Sequence, residues 1–170
     1  MDLFRSSLDL IHIYMNGLLF VCLGNICRSP LAEGIVRARL QAAGVDGQVR
    51  IDSAGTGDWH IGRPPDPRAI AVARRHGIDI AGLRARQLVE RDFHDFDWLL
   101  CADRQNLAVV RRRAPAGAPA RVSLLLDAAG LGESAEVPDP YYGDEADFEQ
   151  VFALLSDAAD GLLQRLRQGA

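Results

Sequence analysis

Cys22, Arg28, Ser29 and Asp139 are the residues of this chain whose types and spacing could carry a reaction. Cys22 and Arg28 are separated by the five residues Leu23-Gly24-Asn25-Ile26-Cys27, and Ser29-Pro30 follows. An apolar run, Gly17-Leu18-Leu19-Phe20-Val21, leads in. Two cysteines, a glycine and an arginine so close together admit several readings: a redox pair, half of a metal site, a lipid-attachment point, or a cradle for an anion.

The cradle accounts for the most residues. Successive backbone N–H groups in a tight turn converge on an anion, and the start of a helix adds its unpaired donors and positive dipole end. Gly24 permits close approach, and the planar fork of Arg28 can hold two oxygens of a tetrahedral anion. The guest expected is phosphate or a close mimic. Cys22 at the base of such a loop is placed as a nucleophile, because the same field stabilises a thiolate and Ser29 can donate a hydrogen bond to it. Arg28 would clamp the oxygens on which charge sits in the transition state. Attack on phosphorus gives a phosphocysteine, which water hydrolyses. The first step needs an acid for the leaving oxygen and the second a base for water. Asp139, held between Pro138 and Pro140 in a long loop, can serve as both. No metal or other cofactor is needed, since Arg28 and the amides supply the positive field. The simpler readings stand beside these: Cys27 and Cys101 as buried small hydrophobes, Asp139 as a turn residue beside proline, the scattered histidines as structural or exposed, and Arg111–Arg113 as a solvated helix end.

The elements around these residues predict where they lie. Leu18–Val21 has the pattern of a buried strand. Ser29 as N-cap, Pro30 at the first helical position and Glu33 near the capping-box place open an amphipathic helix that Gly44 stops. Strands are expected at Val49–Ser53, Phe96–Cys101 and Arg121–Leu126. Helices are expected at 67–76, 88–94, 104–113 and 144–167, with loops at 54–67 and 130–143. Strands alternating with helices imply right-handed βαβ units and a single-domain, doubly wound sheet of four parallel strands with helices on both faces. Ligands of such sheets bind beyond the carboxyl ends of the strands, where the loop after the first strand lies.

The whole chain narrows the classes further. Its 170 residues suit one domain. A net charge of −4 speaks against a general nucleic-acid binder. All 19 basic residues are arginine, which we read first as coding bias. Three cysteines are too few for a disulfide-stapled secreted domain, so a reducing cytoplasm is expected. Asp2 and Asp9 outweigh Arg5, His12 and Asn16 interrupt the apolar stretch, and bulky Val21 precedes Cys22, so a secretory or lipoprotein signal is not supported. No stretch reaches the ~20 apolar residues of a membrane span. Residues 1–14 are read as an extension without catalytic importance and 15–170 as the working domain.

The segment Val21-Cys22-Leu23-Gly24-Asn25-Ile26-Cys27-Arg28-Ser29-Pro30-Leu31-Ala32-Glu33 resembles the phosphate-loop signature of the low-molecular-weight protein tyrosine phosphatases. The likeness continues through Asp52–Thr56, Trp59, Gly62–Arg68, His76–Ile78, Ala85–Leu88 and Asp139–Gly143, so that it spans about residues 17–168. The resemblance implies the phosphotyrosine phosphatase I-like fold and hydrolysis of phosphotyrosine without metal. It implies Cys22 as nucleophile, Arg28 as phosphate clamp, Ser29 as the thiolate's partner and Asp139 as acid. Leu23, Gly24, Asn25, Ile26 and Cys27 would complete the phosphate loop, with Asn25 holding its shape and Ser53 supporting it. Cys27 would capture an oxidised nucleophile as a reversible disulfide. Trp59 and Tyr141, with Tyr142 beside them, would wall a slot deep enough for a flat ring, too deep for phosphoserine.

The implied partner is a phosphotyrosine-bearing protein, with a tyrosine kinase acting on Tyr141 or Tyr142 as a further candidate, and a monomer or weak dimer as the assembly. Many relatives carry a histidine where Leu83 or Arg84 stands, and it braces the loop asparagine; what braces Asn25 here is open at this point. The tyrosine pair and Gly143 look more like the animal-type branch than the bacterial capsule-operon branch. Arsenate reductases on this fold use two further downstream cysteines, where this chain has only Cys101, and protein-arginine phosphatases tend to have threonine where Ile26 stands.

Overall fold

The computed structural model describes residues 15–169, so the extension expected over 1–14 lies outside the described residues. Along the chain the elements are β1 (Gly17–Cys22), α1 (Arg28–Ala42), β2 (Arg50–Gly55), α2 (Pro67–Arg75), α3 (Asp92–Asp95), β3 (Trp98–Cys101), α4 (Arg104–Arg113), β4 (Arg121–Leu124), α5 (Leu125–Ala128) and α6 (Glu145–Gln168). The strands form one parallel sheet in the order β2-β1-β3-β4.

All six residues of β1 are buried. Alternation sends Leu18, Phe20 and Cys22 to one face and Leu19 and Val21 to the other. The first face packs on α1, α2, α5 and α6 through Leu31, Ile35, Val72, Leu126, Phe148 and Leu155. The second packs on α3 and α4 through Phe93, Phe96 and Val110. Because β1 is central, the chain runs outward from it to β2 and then crosses back to β3. The carboxyl ends of β1 and β3 therefore open a crevice between diverging connections.

Several boundaries differ from the expected ones, each for a physical reason. The last strand ends at Leu124, and Leu125 and Leu126 turn into α5 to bury their side chains beneath α6. The short helix expected at 88–94 is confined to α3, because Leu88 N–H donates to Gly55 O at 2.8 Å and extends the β2 edge instead. Ser29 does not cap α1. The cap position is Cys27, without a side-chain bond, and Ser29 lies inside the first turn with its hydroxyl turned to the site. Glu33 likewise makes no capping box; it is buried and accepts from Ser53 and Arg37.

Gly55 ends β2 against the loop that follows β1. A Cβ there would stand 2.8 Å from Leu23 O and 3.1 Å from Asn25 N, both backbone atoms that cannot swing aside. Gly55→Ala is expected to lower stability by about 1–3 kcal/mol in urea unfolding, as overpacking does, and to weaken binding of inorganic phosphate through displacement of the loop; unchanged values on both counts would contradict the close approach.

Candidate active site

The loop from Cys22 to Cys27 is shaped by what its carbonyls bind. Cys22 O accepts from Thr56 N–H at 2.9 Å, Leu23 O from Gly57 N–H at 2.9 Å, and Ile26 O from Asp66 N–H at 2.8 Å. All three bonds run to the segment after β2. The first amides of α1 have no acceptor within the helix, and Pro30 removes one donor where none could be satisfied. Asn25 adopts the left-handed conformation, φ +56°, at which asparagine is among the few tolerated side chains.

Asn25 is the hub of a buried network. Arg86 N–H donates to its side-chain oxygen at 2.9 Å, so the other atom must be the amide nitrogen. That nitrogen donates to Ser29 Oγ at 2.8 Å and to Ser53 Oγ at 2.9 Å. Ser53 passes its own hydrogen to Glu33 at 2.7 Å. The Ser29 hydroxyl, which accepts from Asn25, lies 3.0 Å from Cys22 Sγ and keeps a hydrogen that can be donated to a thiolate there. This answers what braces the asparagine. It is the backbone at Arg86, not Leu83, which packs on the core, or Arg84, whose guanidinium bonds Ala81 O and Leu83 O. Arg86 itself is fixed between Asp52 and Asp92, at 3.0 Å from each.

Arg28 lies beside Cys22 with its side chain only 4% exposed. It donates to Asp103 at 2.7 Å and to Val137 O at 3.0 Å, and approaches Asp139 at 3.5 Å. Burial works against its charge, but Cys22 and the bond to Asp103 outweigh that and hold the guanidinium more firmly protonated than usual. Burial, helped by Asp66, pushes the Cys27 thiol well above its ordinary range. Burial likewise pushes Cys101 up to about 12, on the other face of the sheet. Above Cys22 opens a cavity of about 340 Å³. Its lining includes Leu23, Gly24, Ile26, Cys27, Arg28 and Asp139, with Trp59, His60, Tyr141 and Tyr142 at the walls and rim. Trp59 is 65% exposed and Tyr142 95%.

Every residue singled out from the sequence thus falls on this cavity or, for Asn25, Ser29 and Ser53, on the network beneath it. The family model for low molecular weight phosphotyrosine protein phosphatases matches residues 17–170. This chain belongs to that family. A Bacillus subtilis low molecular weight protein-tyrosine-phosphatase, YfkJ, is 41% identical over 154 residues, covering 91% of this chain and 97% of the relative. Among solved structures, a protein tyrosine phosphatase from Entamoeba histolytica superposes with a TM-score of 0.85 at 36% identity, covering 91% of this chain and 98% of the other. A Drosophila arginine phosphatase shares the fold with a TM-score of 0.81 at 28% identity, covering 87% of this chain and 96% of that one. Among the described residues of the phosphatase, no helix is long and apolar enough to cross a membrane.

Sequence reasoning missed Asp103, Arg86, Glu33 and His60 in the phosphatase's site. Asp103 carried a signal: it follows β3 by two residues, at the carboxyl edge beside β1. It also caps α4 by accepting from Asn106 N–H at 2.8 Å. Asp103→Asn keeps that cap and removes the charge opposite buried Arg28. We expect a loss of about 1–3 kcal/mol in urea unfolding and weaker competitive inhibition by inorganic phosphate; an unchanged inhibition constant would show that Arg28 needs no such partner.

Proposed function

We propose that this phosphatase hydrolyses phosphotyrosine in proteins, and small aryl phosphates, in two steps through a phosphocysteine at Cys22. The observation that carries the proposal is the convergence of Cys22, Ser29 and Arg28 at the base of one cavity that Asp139 also lines, under aromatic walls. Phosphate would sit against the amides of residues 23–28 and the Arg28 fork. Cys22 attacks phosphorus as a thiolate, stabilised by the Ser29 hydroxyl. The tyrosine oxygen leaves with a proton from Asp139. The Asp139 carboxylate then takes a proton from water as that water attacks phosphorus, releasing phosphate and the Cys22 thiolate.

Trp59 and Tyr141 would hold the ring of the phosphotyrosine, and Tyr142, exposed at the rim, would be open to a tyrosine kinase. A reducing, cytoplasmic setting fits the three cysteines, all unpaired.

A panel of phosphotyrosine, phosphoserine and phosphoarginine peptides tests substrate class. Turnover of phosphotyrosine is expected to dominate and to disappear in Cys22→Ser; residual activity in that variant, or preference for phosphoarginine, would overturn the assignment.

Cys27 lines the same cavity, and we propose it as the redox partner of Cys22. Peroxide would oxidise Cys22 to a sulfenic acid, and the Cys27 sulfur would displace hydroxide from it, leaving as water after protonation, to give a disulfide. After mild peroxide, thiol should restore the parent protein well and Cys27→Ser poorly. Equal recovery would remove the protective role.

A further inference from the structure

Asp139 is the acid of the proposed reaction, yet nothing in β-structure holds its loop. Its near end is fixed where Val137 N–H donates to Ala102 O at 2.8 Å and Val137 O accepts from Arg28. Its far end has a different anchor. The Arg68 guanidinium donates to Tyr141 O at 2.9 Å and to Gly143 O at 3.2 Å. The same group forms a forked pair with Asp66, at 3.0 Å through Nε and 2.9 Å through Nη2. It lies over the rings of Phe148, 4.6 Å away, and Tyr141, 5.7 Å away. Asp66 in turn donates its N–H to Ile26 O of the phosphate loop and caps α2 by accepting from Arg68 N–H at 2.9 Å. Arg68 lines no part of the cavity.

From this chain of contacts we infer that Arg68, held by Asp66, is a positioning residue that ties the Asp139 loop to the phosphate loop and so sets the reach of the acid to the leaving oxygen. The inference rests on the reading of Asp139 as that acid. A guanidinium suits the task because its fixed fork can meet a carboxylate on one edge and two carbonyls on the others, which an ammonium cannot do. Burial raises Asp66, but the bonds from Arg68 outweigh it and hold the carboxylate below its usual range, so the pair persists across neutral pH. Tyr141 N–H donates to Asp139 at 3.1 Å, so Arg68 fixes the same peptide segment that orients the acid. A small displacement there lengthens the proton transfer without disturbing the phosphate pocket.

The test compares kcat/KM, which reports transfer to Cys22 and not the later hydrolysis common to both esters, on phenyl phosphate, whose leaving oxygen needs a proton, and on 2,4-dinitrophenyl phosphate, whose leaving oxygen does not. Arg68→Met, which keeps the stem over Phe148, should lower kcat/KM on phenyl phosphate about tenfold and change the dinitrophenyl ester little. Inhibition by inorganic phosphate should stay as in the parent. Arg68→Lys should recover part of the loss, and Arg68→Met should cost nothing more when Asp139→Ala is already present. Asp66→Asn, which retains the α2 cap, should show the same selectivity in milder form and decides the matter if Arg68→Met does not fold. Equal slowing of both esters by the Arg68 and Asp66 variants, with Asp139→Ala still selective, overturns the positioning role alone. Equal slowing of both esters by Asp139→Ala itself overturns the acid, and the inference with it.

Discussion

The curve of the backbone from Cys22 to Arg28 is the constraint on which the rest of this phosphatase depends. A loop closes around an anion only if its carbonyls point away from the centre. Here the carbonyls of Cys22, Leu23 and Ile26 are bound by Thr56, Gly57 and Asp66. The segment after β2 is therefore the mould in which the phosphate loop is cast. Gly55 is required because the two backbones come too close for a side chain. Asn25 takes up the strain of the left-handed turn and repays it with three hydrogen bonds, so that loop shape and orientation of the Ser29 hydroxyl are set by one side chain.

Two buried charges are managed differently around that loop. Arg28 is held by Asp103 and a carbonyl, leaving further donors of its fork toward the cavity that it lines. Glu33 is turned the other way, accepting from Ser53 and Arg37 and closing the network beneath Cys22. Neither arrangement could be built by one element. The first joins α1 to the end of β3 and the loop before α6, and the second joins α1 to β2. The site is thus a product of the crossover at β1, where connections to β2 and β3 diverge.

How much of this the sequence showed follows from the range of each interaction. The β1–loop–α1 unit and the parallel sheet were legible because strand burial and the proline after the loop are local signals, and the spacing of Cys22 and Arg28 pointed to residues that the fold brings, with Asp139, to one cavity. Ser29 was read both as a partner of Cys22 and as the cap of α1, since a serine before proline reads as a cap; only the cap fails, because the hydroxyl serves partners 4 and 7 residues away along the chain. Asp103, whose only signal is its place just after β3, and Arg86 and Arg68, which lie within the stretches of family likeness, gave no sign of the contacts they make. Each acts through an arginine or backbone bond spanning 61 to 75 residues, and in a chain whose basic residues are all arginine no single one stands out. Leu125 and Leu126 were read as strand because an apolar run has no period that separates a buried strand from a short buried helix.

In the proposed reaction the loop holds phosphate against Cys22 so that a bond forms between them. Acid-quenching the enzyme during turnover of an aryl phosphate, followed by peptide mass spectrometry, tests it most directly. A phosphoryl group is expected on the peptide containing Cys22, more abundant when the second step is slowed. A phosphoryl group on another residue, or turnover with no covalent intermediate under conditions that preserve phosphocysteine, would contradict it.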